Sequence, residues 1–269
     1  MNQPSANLTI SLLQMNVSLG RPEQNLARVK KLLDRDLRSA TDLILLPEMW
    51  STGYDFPHFS RLAGSTPKLL QELRTMARQR SAAIGGTMLE QDGEKFYNTF
   101  YLIGPGGKVV SRYRKIHLFS LMNEPDFLSS GEEMVAGRIK NVPVGLMTCY
   151  DLRFPELGRQ LALRGARLLL ISAQWPQPRA EHWQALLKAR AIENQLFIAA
   201  CNRIGQGTEQ IFPGLSGVYD PWGKEILKTP RRQGVFSCRL DLRKLQTARQ
   251  TIDVFADRRP DVYQEKQPR

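Results

Sequence analysis

Three strand-like runs in this chain each end in a residue able to do chemistry. DLILLPE ends in Glu48, KVVSRYRK in Lys115 and VGLMTC in Cys149. A carboxylate, an amine and a thiol are the parts of a nucleophilic acyl transfer. A thiol becomes a strong nucleophile on losing its proton, so it needs a base, and Glu48 fits that need. The tetrahedral intermediate needs donors for its oxyanion, which the Lys115 ammonium and the Tyr150 backbone N–H could supply. Cys149 runs directly into YDLRFP, a tight link into a helix. A helix N-terminus favours a thiolate and a neighbouring oxyanion. No histidine lies close to Cys149 in sequence, which speaks against a thiol–imidazole pair. Taken singly, Glu48 reads as an edge charge or helix cap, and Lys115 as one of three basic residues facing solvent. Cys201 and Cys238 read as small core residues.

The elements that must position these groups alternate. Leu8–Met15 is β-rich. Pro22 opens a helical pattern with Leu26, Val29, Leu32 and Leu33 on one side. Asp42–Leu46 and Ala82–Met88, with its Gly85-Gly86 pair, read as strands buried on both faces. Leu69, Leu70, Leu73 and Met76 repeat at helical spacing. Phe96–Ile103 and Lys108–Tyr113 flank Gly104-Pro105-Gly106-Gly107 as a hairpin. The second half repeats the theme. Val144–Thr148, Arg167–Ser172 and Leu196–Cys201 read as strands. Pro155 starts a helix through Leu157, Leu161 and Leu163, and Glu181–Asn194 carries Trp183, Leu186, Leu187 and Ile192 on another. Ser216–Asp220 and Glu225–Thr229 flank a second hairpin turn. Val235–Leu240 is a last strand, after which Asp241 is expected to cap a helix through Leu245. Strands interleaved with helices and hairpins predict an α/β fold with mixed sheets and helices outside. In such folds functional groups gather at the carboxyl ends of strands, where Glu48, Lys115 and Cys149 stand.

LLPEMW, YRKIHLF and CYDLRFPE resemble the three catalytic motifs of the nitrilase superfamily of carbon–nitrogen hydrolases. Their order matches, and so does their spacing: Lys115 lies 67 residues after Glu48, and Cys149 lies 34 after Lys115. The similarity runs from about Leu8 to Leu240. The stretch SAQWPQPRAEHWQALLKARAIENQLFIAACNRIG resembles the omega-amidase branch, especially its bacterial members. The resemblance implies a four-layer αββα sandwich with two mixed sheets, no cofactor, no metal and a homodimer. It implies catalytic roles for Glu48, Lys115 and Cys149. Glu124, in LMNEPDF, matches a second glutamate that could orient Lys115 or the hydrolytic water. It also implies a small-molecule amide as substrate: the omega-amide of a 2-oxo dicarboxylic acid, such as 2-oxoglutaramate. Alternatives within the superfamily are N-carbamoyl compounds, deaminated glutathione and nitriles.

Around these groups, Tyr150 and Trp175 are expected to contact substrate, Trp175 over the pocket entrance. Arg179 and Arg203 could attract a distal carboxylate. Asp151 and Arg153 are expected to form a local ion pair that fixes the turn, and Arg190 and Glu193 to be structural.

Bulk composition agrees with a globular enzyme. The 269 residues are 42% hydrophobic and 24% charged, without repeats or linkers, which predicts a single domain over 1–269 with a core of about 8–240 and a C-terminal extension, 241–269. No apolar run reaches the ~18 residues of a membrane helix. Three cysteines cannot all pair, and MNQPSANLTISLLQMN lacks the pattern of a secretory signal, so a reducing cytoplasmic compartment is expected. His58, His117 and His182 show no ligand spacing. The net charge of +12 raises the alternative of a nucleic-acid-binding or scaffold protein on a catalytically dead hydrolase fold. The densest basic stretch, Lys228–Arg249, contains one aromatic, Phe236, leaving little for base stacking. A solvated basic face, compatible with anionic substrates, is the simpler reading.

Overall fold

Strand β1 (Asn7–Gln14) is covered on both sides, with Leu8, Ile10 and Leu12 on one face and Thr9, Ser11 and Leu13 on the other. Its Ile10 and Leu12 enter one buried cluster while Leu13 enters another. The computed structural model, which describes residues 7–263, builds a six-stranded sheet around this strand. The other strands are β2 (Leu43–Leu45), β3 (Ala83–Asp92), β4 (Lys95–Ile103), β5 (Val109–Arg114) and, from the far end of the chain, β14 (Gly234–Asp241). Their order is β14-β1-β2-β3-β4-β5, with β1, β2 and β3 parallel and the rest antiparallel.

A second sheet contains β6 (Ala136–Ile139), β7 (Val142–Thr148), β8 (Leu168–Ala173), β9 (Phe197–Asn202), β12 (Gly217–Tyr219) and β13 (Glu225–Lys228). It runs β13-β12-β9-β8-β7-β6, again with three parallel strands, β7, β8 and β9, in the middle. A short pair, β10 (Ile204–Gln206) and β11 (Ile211–Pro213), stands apart. The sheets pack face to face, β1 on β9, β3 on β8 and β4 on β7. Leu8, Ile10, Leu12, Phe100 and Leu102 of the first meet Val144, Leu146, Leu168 and Leu170 of the second in one core.

Helices cover the outer faces. Helices α1 (Pro22–Asp36) and α3 (Thr66–Arg80) lie on the first sheet, and α5 (Pro155–Leu163) and α6 (Ala180–Asn194) on the second. The result is a four-layer αββα sandwich. In α1 the predicted stripe Leu26, Val29, Leu32 and Leu33 is buried, each side chain stabilising by roughly 1.5–3 kcal/mol. Short helices α2 (Phe59–Ala63) and α4 (Glu124–Phe127) and a last helix, α7 (Arg243–Thr251), complete the fold. No helix among the described residues is long and apolar enough to cross a membrane.

Several expectations change in detail. Asp241 ends β14 and is not the cap of α7; Leu242 holds that position, and the Asp241 carboxylate accepts the Arg243 N–H at 3.1 Å. Leu163 and Ile192, placed on apolar helix faces from spacing, are 39% and 46% exposed, because Leu157, Leu161, Trp183 and Leu187 already fill the helix–sheet interface. Helices α2 and α4, strand β6 and the β10–β11 pair are too short to show a periodicity in sequence.

Candidate active site

Glu48, Lys115 and Cys149 each stand just beyond a strand: β2, β5 and β7 respectively. The Glu48 turn lies close over β3. A Cβ on Gly86 would come within 2.7 Å of the Leu46 Cβ, so only glycine permits the approach. Met49, next in the chain, takes a positive φ of 43° and donates its N–H to Thr87 Oγ1 at 2.7 Å. Local strain is thus held in place by the packed sheet beneath.

The Glu48 carboxylate is buried and fully engaged. Its Oε1 accepts from Tyr54 Oη at 2.6 Å, Asn98 Nδ2 at 2.8 Å and Lys115 Nζ at 3.0 Å. Its Oε2 accepts the Gln174 backbone N–H at 2.8 Å. Lys115 is fully buried and lies between two carboxylates, with both Glu124 oxygens 2.8 Å from Nζ. Burial alone would lower its pKa, but Glu124 and Glu48 hold it well above the ordinary lysine range. Burial, and the charge of Glu48, push Glu124 up against the opposing pull of Lys115. Burial and the two glutamates likewise keep Tyr54 a neutral donor.

Cys149 follows Thr148 with φ of 43°, a conformation rare for a residue with a side chain. Asp151 anchors the turn. Its Oδ2 accepts from Thr148 N at 2.8 Å and Tyr113 Oη at 2.6 Å, and its Oδ1 accepts the His117 backbone N–H at 3.1 Å and faces His117 Nδ1 at 2.8 Å. The carboxylate therefore ties the Cys149 turn to the strand that carries Lys115. Arg190 supports the other side through the Leu152 carbonyl at 3.1 Å while pairing with Glu193 at 2.9 Å. The thiol opens partly to a cleft, yet protein crowds its other sides. Burial and the charge of Glu48 raise its pKa well above the ordinary thiol value, with Lys115 opposing. The expected pull of a helix N-terminus toward thiolate is outweighed: the segment Cys149–Arg153 is a single short 3₁₀ turn. A resting thiol beside a carboxylate suits proton transfer coupled to attack.

The cleft, about 340 Å³ counted out to solvent, brings Glu48, Glu124 and Cys149 together with Tyr150 and Trp175. Trp175 is a wall and not a cover: it is 3% exposed and its indole N–H donates to the Arg179 carbonyl at 2.7 Å. Arg153 and Arg179 also line the cleft. The ion pair between Arg153 and Asp151 expected from their proximity in sequence does not form; the Arg153 guanidinium lies 4.7 Å from the Trp175 ring centre and 3.4 Å from His182 Nδ1. Arg203 does not reach the cleft. It is 5% exposed and donates to Gln174 Oε1 at 2.8 Å and to the Val17 and Gln206 carbonyls at 2.9 and 3.0 Å. Burial and nearby Arg28 bring its pKa down to about 10. Cys201 is buried, with its thiol 3.2 Å from the Leu13 carbonyl, and Cys238 is half-buried beside the core.

Tyr54, Asn98 and Gln174 supply three of the four hydrogen bonds to the Glu48 carboxylate among the described residues, and none belongs to the three motifs that mark the site in sequence. Gln174 had a signal, since it follows the apolar run RLLLISA as Glu48 follows DLILLP. Asn98 is an amide inside the apolar strand FYNTFYLI, which burial makes informative. Tyr54 lies in a loop with no periodicity to mark it.

Comparison with known proteins agrees with this architecture. The carbon-nitrogen hydrolase family model matches residues 9–250. A 2-oxoglutaramate amidase of Bacillus subtilis (strain 168) is 38% identical over 257 residues, covering 95% of this chain and 99% of the relative. An omega-amidase of Mus musculus is 31% identical, covering 94% and 96%. Among solved structures, a CN-hydrolase superfamily protein of Xanthomonas campestris with an arsenic adduct in its active site superposes with a TM-score of 0.88 at 29% identity, covering 94% and 97%. By sequence and by fold, this chain belongs to the carbon-nitrogen hydrolase family and is a hydrolase acting on carbon–nitrogen bonds.

Proposed function

We propose that the chain is an omega-amidase that hydrolyses the terminal amide of a short 2-oxo dicarboxylic acid, 2-oxoglutaramate or a close analogue, to the acid and ammonia. The observation that carries this reading is the buried Glu48–Lys115–Glu124 network meeting the Cys149 thiol in one small cleft. The Cys149 sulfur attacks the amide carbonyl as Glu48 takes the thiol proton. Lys115 and the Tyr150 N–H stabilise the oxyanion. The ammonium is held by Glu48 Oε1 and both Glu124 oxygens, and its positive charge supports the oxyanion from that fixed position. Glu48 returns the proton to the leaving nitrogen, the C–N bond breaks, and ammonia departs from a thioester. Water, deprotonated by Glu48, adds to the thioester; the acid leaves and the thiol is restored. Glu124 holds Lys115 or orients that water. Tyr150 and Trp175 form the walls against the acyl chain.

The names of the Bacillus and mouse relatives support the substrate class. The chain acts as a single-domain homodimer in the cytoplasm, where three free cysteines fit a reducing medium. Support for the dimer is the apolar trio Leu163, Ile192 and Trp222 left exposed, with Gly223 packed against Ile192. The test is ammonia release from 2-oxoglutaramate, simple amides, N-carbamoyl amino acids and nitriles in parallel. The highest kcat/KM is expected on 2-oxoglutaramate; faster release from an N-carbamoyl amino acid or a nitrile overturns the assignment.

A further inference from the structure

The cleft contains two guanidinium groups that no carboxylate neutralises among the described residues. Arg153 is engaged by the Trp175 ring and His182. Arg179 differs: its guanidinium has no hydrogen-bond acceptor among the described residues and rests 5.3 Å from the Phe119 ring centre. Its backbone, by contrast, is fixed. The Arg179 carbonyl accepts the Trp175 indole N–H at 2.7 Å, and its N–H donates to the Pro176 carbonyl at 3.2 Å. A half-buried, unpaired, planar five-donor group on a rigid base, lining the same aromatic-walled cleft as the nucleophile, matches a carboxylate better than it matches any neutral group. Parking on Phe119 costs little to reverse, since a cation–π contact at a partly exposed site is worth only about 0.5–1 kcal/mol.

We propose that Arg179 is the specificity residue of the cleft and binds the distal carboxylate of the acyl chain while Cys149 attacks the amide at its other end. Arg203, the other candidate from sequence, is excluded because its donors are spent on Gln174 and backbone carbonyls. The inference rests on the omega-amidase reading for its natural substrate, but the anion site is testable apart from it.

Two substrates of equal chain length, 2-oxoglutaramate and pentanamide, are compared in wild type, Arg179→Gln and Arg179→Lys. Arg179→Gln should cut the ratio of kcat/KM for 2-oxoglutaramate over pentanamide by about 30-fold or more, chiefly through KM, as for a truncated charge pair. Arg179→Lys should recover part of that ratio. An unchanged ratio in Arg179→Gln overturns the proposal. If wild type shows no preference for 2-oxoglutaramate, the omega-amidase reading fails instead. The anion site is then judged by glutarate inhibition of pentanamide hydrolysis: inhibition weakened in Arg179→Gln upholds it, and inhibition equal in both proteins overturns it.

Discussion

Gln174 and Glu48 hold each other across the sandwich. The Gln174 backbone N–H donates to Glu48 Oε2 and its side-chain amide to the Glu48 carbonyl, both at 2.8 Å. Glu48 hangs from the first sheet and Gln174 directly follows β8 of the second, so this exchange sets the base relative to the thiol that follows β7. Arg203 in turn fixes the Gln174 amide through Oε1 at 2.8 Å. The carboxylate is thereby aimed by both layers of the fold, and its freedom to rotate is removed before substrate binds.

Donors to the Glu48 carboxylate should therefore be felt in kcat and not in KM. Tyr54→Phe deletes one donor at 2.6 Å and keeps the ring. Hydrogen bonds to charged groups are worth roughly 1.5–3 kcal/mol, so kcat should fall about 10- to 100-fold with KM nearly unchanged. A variant whose KM rises while kcat holds would place Tyr54 on the substrate and not behind the base.

The thiol is raised above its ordinary value of 9.0 by burial and by the charge of Glu48. It is protonated below that raised value and ionises only as pH climbs through it. Alkylation of Cys149 by iodoacetamide should thus show an inflection above pH 9.0. Glu48→Gln removes a charge that opposes ionisation, so the inflection should move to lower pH even as turnover collapses. An inflection near neutrality in wild type would indicate a resting thiolate. Mass spectrometry should find the label on Cys149, with Cys201 protected by its burial, and Cys149→Ala should abolish ammonia release without unfolding the chain.

Lys115→Arg preserves charge but replaces a compact ammonium by a planar fork between two buried glutamates. The fork cannot meet Glu48, Glu124 and an oxyanion in the same geometry, and Lys115 is buried on all sides. A kcat loss on the order of 10² or more is expected, as for a lost oxyanion donor. Near-normal kcat in a folded variant would remove Lys115 from the reaction.

Assembly is read by light scattering. A mass near twice 30.6 kDa is expected at micromolar concentration. Charged substitution of the exposed Ile192 and Trp222 should halve it. A wild-type mass of one chain would count against the dimer.

The alternation of strands and helices was legible in the chain because strands buried on both faces are continuous apolar runs, while the four-layer order came only with the family resemblance. DLILL and RLLLIS have that character, and the stripe of α1 has helical spacing. Glu48 and Cys149 were legible for a related reason: an ionisable group that ends an apolar run stands out against its neighbours, whereas Lys115, beside Arg112 and Arg114, was marked only by its YRKIHLF motif. Partnership between groups distant in the chain was not legible. Asp151 sits two residues from Arg153 yet bonds Tyr113 and His117, because the sandwich brings β5 alongside the Cys149 turn and turns Arg153 toward Trp175. Arg179 and Arg203 look alike as letters; burial spends one on backbone carbonyls and leaves the other facing the cleft. Even the state of the thiol reversed, since the proximity of a helix start is visible in sequence while the charge of Glu48, 101 residues earlier, acts only through space. Residue type and period determine which elements form and which groups are reactive. Hydrogen bonding and electrostatics depend on distance in three dimensions, so which of those groups act together is decided by the packing of the two sheets.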